Sequence, residues 1–300
     1  MLKRTITGGV ILLMTFLFVM LKQISPIFFD AYVLIIMYGS LYEMFKVHQL
    51  ANKQADFITL CLVPVISCAI MNWSDNFYKS LIFVAILAIA VLVVVLLEEI
   101  FEFANDRRYG TTEKNVSVLN QRLFNKTKNT MMVFAYPLLP LLFLMALNHM
   151  IYDLAYVGII TAFAVSMLTD TCAYFVGRLF GKRKFIPEVS PNKTVAGMVG
   201  GFVGGIIGAI ACFFLFYHTS TFAIETFANK GTLISLFIII GVIGSLINQL
   251  GDLIASAYKR KNNIKDFSNI FPGHGGFMDR VDGLMFVASF IYVLFIIFLV

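Results

Sequence analysis

The chain has 300 residues, of which 59% are hydrophobic and only 13% charged. Soluble domains carry about 25% charge, so a water-soluble fold is excluded and an all-α integral membrane protein is expected. The net charge of +6 fits basic faces set against anionic lipid headgroups and needs no nucleic-acid partner.

A helix needs about 20 apolar residues to cross the hydrocarbon core. Nine stretches come near that length: 5–22, 26–45, 57–72, 80–97, 130–147, 154–177, 197–217, 232–257 and 283–299. The first follows Lys3 and Arg4, as a secretory signal would, but no convincing small-residue cleavage site comes after it, so it reads as a retained helix. The third is short and carries Pro64. Cys61, Cys68, Cys172 and Cys212 all lie in apolar stretches without metal-ligand spacing and read as small core residues.

With nine crossings, the N-terminus and every second loop hold 20 of the 23 Lys and Arg residues, leaving Lys22, Lys79 and Lys230 on the other side. Basic loops mark the cytoplasmic face. The expected topology is therefore about nine transmembrane helices, N-terminus cytoplasmic and C-terminus outside. Residues 1–150 read as N-terminal helices with a cytoplasmic connector at 98–130 that has no recognisable chemistry. Residues 151–300 read as a catalytic transmembrane region with loops 178–196 and 258–282.

Asp170 lies eight residues before Arg178, and Asp252 seven before Lys259. At 1.5 Å per residue each carboxylate sits roughly 10–12 Å along its helix from a basic group, at matching depth. A carboxylate in the membrane costs at least about 2.5 kcal/mol, so such residues tend to serve ions, substrates or protons; the plainer alternative is a structural polar contact. Asn248, Asp252, Ser256 and Lys259 follow at intervals that place all four on one helical face. The lower part of that stripe offers oxygens to a hard cation such as Mg2+, and the upper part offers a cation to a phosphate.

The segment Ser256–Asp282 gathers five Lys or Arg, three Asp, one His and three Gly. Lys261 there reads equally well as a solvated topology signal. The run Pro272-Gly273-His274-Gly275-Gly276 lets the backbone approach a ligand and present N–H groups to anionic oxygens. Followed at once by Asp279, Arg280 and Asp282, it forms a pocket with metal ligands and a phosphate-binding Arg.

These residues resemble the signature of the phosphatidate cytidylyltransferases, the CDP-diacylglycerol synthases. The matching positions are Ser256, Lys259, Arg260, Lys265, Asp266, Pro272, His274, Gly275, Gly276, Asp279, Arg280 and Asp282. Upstream, Asp170, Ala173, Tyr174, Gly177, Arg178, Gly181 and Lys182 resemble a second segment of the family, and Ser190, Pro191, Lys193, Thr194 and Gly197 a third. The likeness covers about residues 165–285. Tyr258 stands where the family usually has an aliphatic residue or Phe, and Val195-Ala196 where it commonly has Trp-Glu; Glu188 is a candidate substitute by proximity alone.

The resemblance implies that CTP and phosphatidate give CDP-diacylglycerol and diphosphate. It implies Asp252 and Asp279 as ligands of Mg2+, with Asp282 assisting, and a second, monovalent cation such as K+ beside it. Lys193, Lys259, Arg260 and Arg280 would contact the triphosphate or the lipid phosphate, with Ser256 and Thr194 as hydroxyl donors. Ser190, Lys265, Asp266, Gly275, Gly276 and Asp170 complete the implied binding surface, and His274 is either a hydrogen-bonding residue of the turn or a general acid. The implied setting is the inner membrane, with the site facing the cytoplasm and membrane lipids as further partners. The oligomeric state stays open, a homodimer being one option. A cation transporter lined by Asp170 and Asp252 is the rival from another class, but the internal repeats common in transporters are not visible. A nearer rival is a CTP-dependent enzyme acting on another lipid phosphate.

Overall fold

A computed structural model of the chain describes residues 2–48, 54–73, 86, 89–90, 93–94, 97, 128–150, 152–218 and 230–299. Hydrocarbon offers no hydrogen-bond partner to the backbone, so a spanning segment must satisfy its own N–H and C=O groups. Among the described residues the regular elements are accordingly helices, with two isolated β-bridges in the connections. In chain order they are α1 (Leu2–Leu21), α2 (Pro26–Val47), α3 (Gln54–Trp73), α4 (Lys128–Asn148), α5 (Tyr152–Phe180), α6 (Val195–His218), α7 (Lys230–Lys261), α8 (Met278–Val281) and α9 (Leu284–Leu299). A π-helical turn at Phe134–Leu138 interrupts α4 where Pro137 falls inside it.

Five of these helices, rather than the nine expected, are long and apolar enough to cross a membrane: Pro26–Val47, Lys128–Asn148, Leu154–Phe180, Val195–Tyr217 and Lys230–Lys261. Three more have shorter apolar stretches, Ile6–Leu21, Leu60–Trp73 and Leu284–Phe298. At 1.5 Å per residue, a stretch of about 16 residues reaches about 24 Å against a core of about 30 Å. Most of the expected 80–97 span, and nearly all of the 98–130 connector, lie outside the described residues. The protein is thus all-α and crosses the membrane several times.

The chain forms two compact units, residues 34–142 and residues 1–33 with 143–300. In the first, the Tyr38 hydroxyl donates to the Cys61 carbonyl at 2.8 Å and ties α2 to α3. The second holds α1, α5, α6, α7 and α9 together with the conspicuous loops.

Apolar burial gains little between helices already surrounded by lipid, so close backbone approach has to hold them. The glycines of α6 supply it. A β-carbon at Gly197, Gly201, Gly204 or Gly208 would run into the backbone oxygens of Ala173, Thr169, Leu168 and Ala164, respectively, all on α5. On the other flank of α6, a β-carbon on Gly205 would lie 2.5 Å from that of Ser245, and one on Gly241 of α7 2.7 Å from the Ile206 Cα. α7 meets the turn before α9 in the same manner, since a β-carbon on Gly251 would lie 2.5 Å from the Asp282 oxygen.

A buried polar knot closes the end of this unit away from the loops. Lys22 Nζ donates to the Asn148 carbonyl at 3.0 Å, and Asn148 Nδ2 donates to Asp30 Oδ1 at 2.8 Å and to the Pro26 carbonyl at 2.9 Å. His149 Nε2 pairs with Asp30 Oδ2 at 2.8 Å. The α1–α2 turn is thereby fastened to the α4–α5 turn.

Candidate active site

α5 has 29 residues and α7 has 32, lengths of about 43 and 48 Å at 1.5 Å per residue. Both exceed the hydrocarbon thickness of about 30 Å. Their C-terminal turns carry Arg178 and Lys259, Arg260 and Lys261, charges that favour both water and the negative end of the helix dipole. Two loops leave from these ends, and they build the site.

The first loop returns from α5 to α6 along itself. Phe185 N donates to the Lys193 carbonyl, and Val195 N to the Arg183 carbonyl, each at 3.0 Å. A turn at its tip forms as Ser190 N donates to the Ile186 carbonyl at 2.9 Å. Thr194 then caps α6, its Oγ1 accepting from Gly197 N at 3.1 Å. Gly177 and Gly181 leave the space that this buried hydroxyl fills. The Thr194 hydroxyl, expected to meet substrate, thus also caps the helix, and its O–H is not used by that bond. The next residue back, Lys193, places Nζ 2.6 Å from Asp252 Oδ2.

The second loop is folded around Asp279. Oδ1 of this carboxylate accepts from Lys259 Nζ at 2.6 Å, and Oδ2 accepts from Phe267 N and Gly276 N at 3.0 Å each. The side chain is 4% exposed, so these three donors supply its environment. Phe271 N donates to the Gly275 carbonyl at 2.9 Å, and His274 N to the Phe271 carbonyl at 2.8 Å. Gly273 and Gly275 take φ of 80° and 77°, a region that glycine enters without strain. The Tyr258 and Phe267 rings stack with centroids 5.9 Å apart, and Lys259 Nζ lies 5.4 Å from the Phe267 centroid. Arg260 Nε donates to the Val189 carbonyl at 3.4 Å and joins the two loops.

α7 therefore presents its polar stripe as a series of contacts. Asn248 Nδ2 donates to Asp170 Oδ1 at 2.7 Å, Asp252 pairs with Lys193, Ser256 is half-buried between them, and Lys259 pairs with Asp279. Asp282 closes the group. Burial, and after it the negative charge of Asp252, hold the Asp282 carboxyl well above the ordinary carboxylate range; Lys259 draws it back, Asp170 adds to the rise and Arg280 opposes it. Asp170, Asp252, Asp282, Lys259 and Arg280 thus feel one another's charge. Lys265, Asp266, Pro272 and Arg280 are exposed, Ser190 and His274 partly so, and Gly275 and Gly276 are buried under the turn. Glu188 lies exposed on the first loop, and Ala196 lies in the first turn of α6.

Among the described residues no three His, Cys, Asp or Glu side chains are grouped to hold a metal ion as they stand. Two lysines sit among the carboxylates instead. Each ammonium occupies a carboxylate, Lys193 on Asp252 and Lys259 on Asp279. The donor set itself suits a hard cation, because the half-buried carboxyls of Asp252 and Asp282 lie close enough to feel each other's charge. Ser166 escapes a reading of the sequence. Its hydroxyl donates to Asn248 Oδ1 at 2.7 Å, and the available signal was its place four residues before Asp170 on the same face of α5.

Similarity to known proteins agrees with this arrangement. The cytidylyltransferase family model matches residues 2–298. The phosphatidate cytidylyltransferase of Staphylococcus saprophyticus is 32% identical over 213 residues, which cover 70% of this chain and 77% of that protein. That of Bacillus subtilis is 42% identical over 147 residues, 49% of each chain, and that of Staphylococcus haemolyticus 40% identical over 138 residues, 46% of this chain and 48% of the other. With nearly the whole chain matched and the basic and acidic residues of both loops gathered at one end of the helices, this chain belongs to the phosphatidate cytidylyltransferase family.

Proposed function

We propose that the chain joins CTP to phosphatidate, releasing diphosphate and leaving CDP-diacylglycerol in the membrane. Beyond family membership, one observation carries this reading: Lys193 from the first loop pairs with Asp252 of α7, while Lys259 of α7 pairs with Asp279 of the second loop. Cations and carboxylates from three segments interleave where the helices leave the hydrocarbon. That suits a reaction between a soluble polyanion and a membrane-bound one.

In the reaction a phosphate oxygen of the lipid forms a bond to the α-phosphorus of CTP. The bond from that phosphorus to the β-phosphate oxygen breaks, and diphosphate departs with its electrons. The nucleophile is already an anion and needs no base. Repulsion between the partners is the main obstacle, so positive charge and positioning do most of the work. Lys193 exchanges Asp252 for a phosphate oxygen as the triphosphate arrives. Lys259 keeps Asp279 and has further N–H bonds to offer, since an ammonium carries three donors. Arg280, exposed beside them, suits a forked contact to a phosphate. The Gly275-Gly276 turn holds Asp279 beneath the ligand, and His274 at its rim donates a hydrogen bond there.

Asp252 and Asp282 would hold a divalent cation such as Mg2+, with Asp170 at hand; when bound it neutralises the attacked phosphate and the leaving group. We read Asp279 as holding the loop rather than the cation, since its oxygens already accept three hydrogen bonds. The site faces the cytoplasm, where CTP is found, a side supported by the Lys and Arg residues at the C-terminal ends of α5 and α7 and in the loops that follow.

Purified protein given CTP, Mg2+ and phosphatidate should release diphosphate and form CDP-diacylglycerol, with little CTP turnover when the lipid is omitted. Cation flux into liposomes without turnover would sink this reading in favour of a transporter.

A further inference from the structure

Asn248 is buried on α7, one turn before Asp252, and its carboxamide bridges two residues that lie one turn apart on α5. An ionised carboxylate can only accept hydrogen bonds, so the amide must turn Nδ2 toward Asp170. Its oxygen then faces Ser166, whose hydroxyl donates to it at 2.7 Å, the same length as the bond to Asp170. The serine thereby fixes which way round the amide sits. A third element holds the amide from behind: a β-carbon at Gly283 would collide with Asn248 Oδ1, and Gly283 directly follows Asp282.

One carboxamide thus touches the helix of Asp170, shares a face with Asp252 and packs on the turn that carries Asp282. We infer that Asn248, polarised by Ser166, is the positioning residue that sets Asp170 relative to Asp252 and Asp282, and so tunes the site for cation and triphosphate. Both residues act through Asp170. This rests on the function proposed above.

The test compares wild type with Ser166→Ala, Ser166→Thr and Asn248→Asp, each purified in detergent. kcat and the KM values for CTP and Mg2+ would be measured, together with the rise in Tm on adding Mg2+ without substrates. Ser166→Ala should lower kcat about tenfold, because small displacements of positioned groups are costly, while the protein melts near the wild-type temperature. Ser166→Thr keeps the donor and should recover most of that loss. Asn248→Asp keeps the shape but has no N–H to give Asp170; it should lose more activity than Ser166→Ala and show a smaller Mg2+-induced rise in Tm. Should Ser166→Thr fail to fold, the Asn248→Asp result decides. Wild-type kcat and Mg2+ response in Ser166→Ala and Asn248→Asp would overturn the inference. A wild type that makes no CDP-diacylglycerol would instead overturn the proposed function, and the Mg2+-dependent Tm would still judge the inference.

Discussion

Asp279, expected from sequence as a metal ligand, also has a second task in space. Its carboxylate closes the second loop by binding Phe267 N and Gly276 N, and it neutralises Lys259, which is itself 13% exposed. Asp279→Asn would turn an NH2 group toward the ammonium or toward the amide donors. Removing one partner of a buried pair costs about 3–5 kcal/mol, and the partial exposure of Lys259 lowers the expectation to about 2–3 kcal/mol. The variant should therefore melt earlier and lose turnover, yet still gain Tm from Mg2+. Asp252→Asn should do the reverse, remaining folded but losing the Mg2+ response. Calorimetry with and without Mg2+ separates the two, and an Asp279→Asn protein insensitive to Mg2+ would restore that residue to the ligand set. Lys261→Ala, on an exposed side chain, should change turnover less than twofold, as surface substitutions generally do.

Among the elements, α1 carries no motif of its own, yet it packs in the same unit as the loops. Thr7 Oγ1 donates to the Pro272 carbonyl at 3.3 Å, and a β-carbon on Gly8 would lie 3.4 Å from His274 Nε2. Such a contact joins residues 265 positions apart, and no local pattern announces it. The loops were legible for the opposite reason, since their glycines, lysines and aspartates lie close together in the chain. The same locality left their partners hidden: that Lys193 meets Asp252, or that Thr194 also caps α6, depends on how α6 docks on α5. Gly8→Leu should press on the His274 turn and lower kcat about tenfold with little change in Tm; unchanged kinetics would show that α1 merely lies beside the loop.

For the molecule as a whole, the crowding of carboxylates makes stability depend on pH. The folded state holds the Asp282 proton more tightly than the unfolded chain does. Its contribution is therefore complete below the ordinary carboxylate pKa of about 4 and is lost as pH rises toward the folded value. Metal-free protein in EDTA should show Tm falling over that range, Asp282→Asn should flatten the slope, and Mg2+ should offset it by taking the proton's place. Composition and basic loops made the helical, membrane-spanning class plain, whereas the depth at which these charges collect follows from helix packing that hydropathy does not record. The α5–α6 seam of Gly197, Gly201, Gly204 and Gly208 has one more consequence. Backbones in direct contact have no side chains to rotate out of the way, so the seam is a fixed ruler with no ajar position. Lipid must then reach the phosphate chemistry by some route other than the parting of these two helices. Spin labels on Leu179 and Val199, exposed on α5 and α6, should report the same separation before and after CTP and phosphatidate are added.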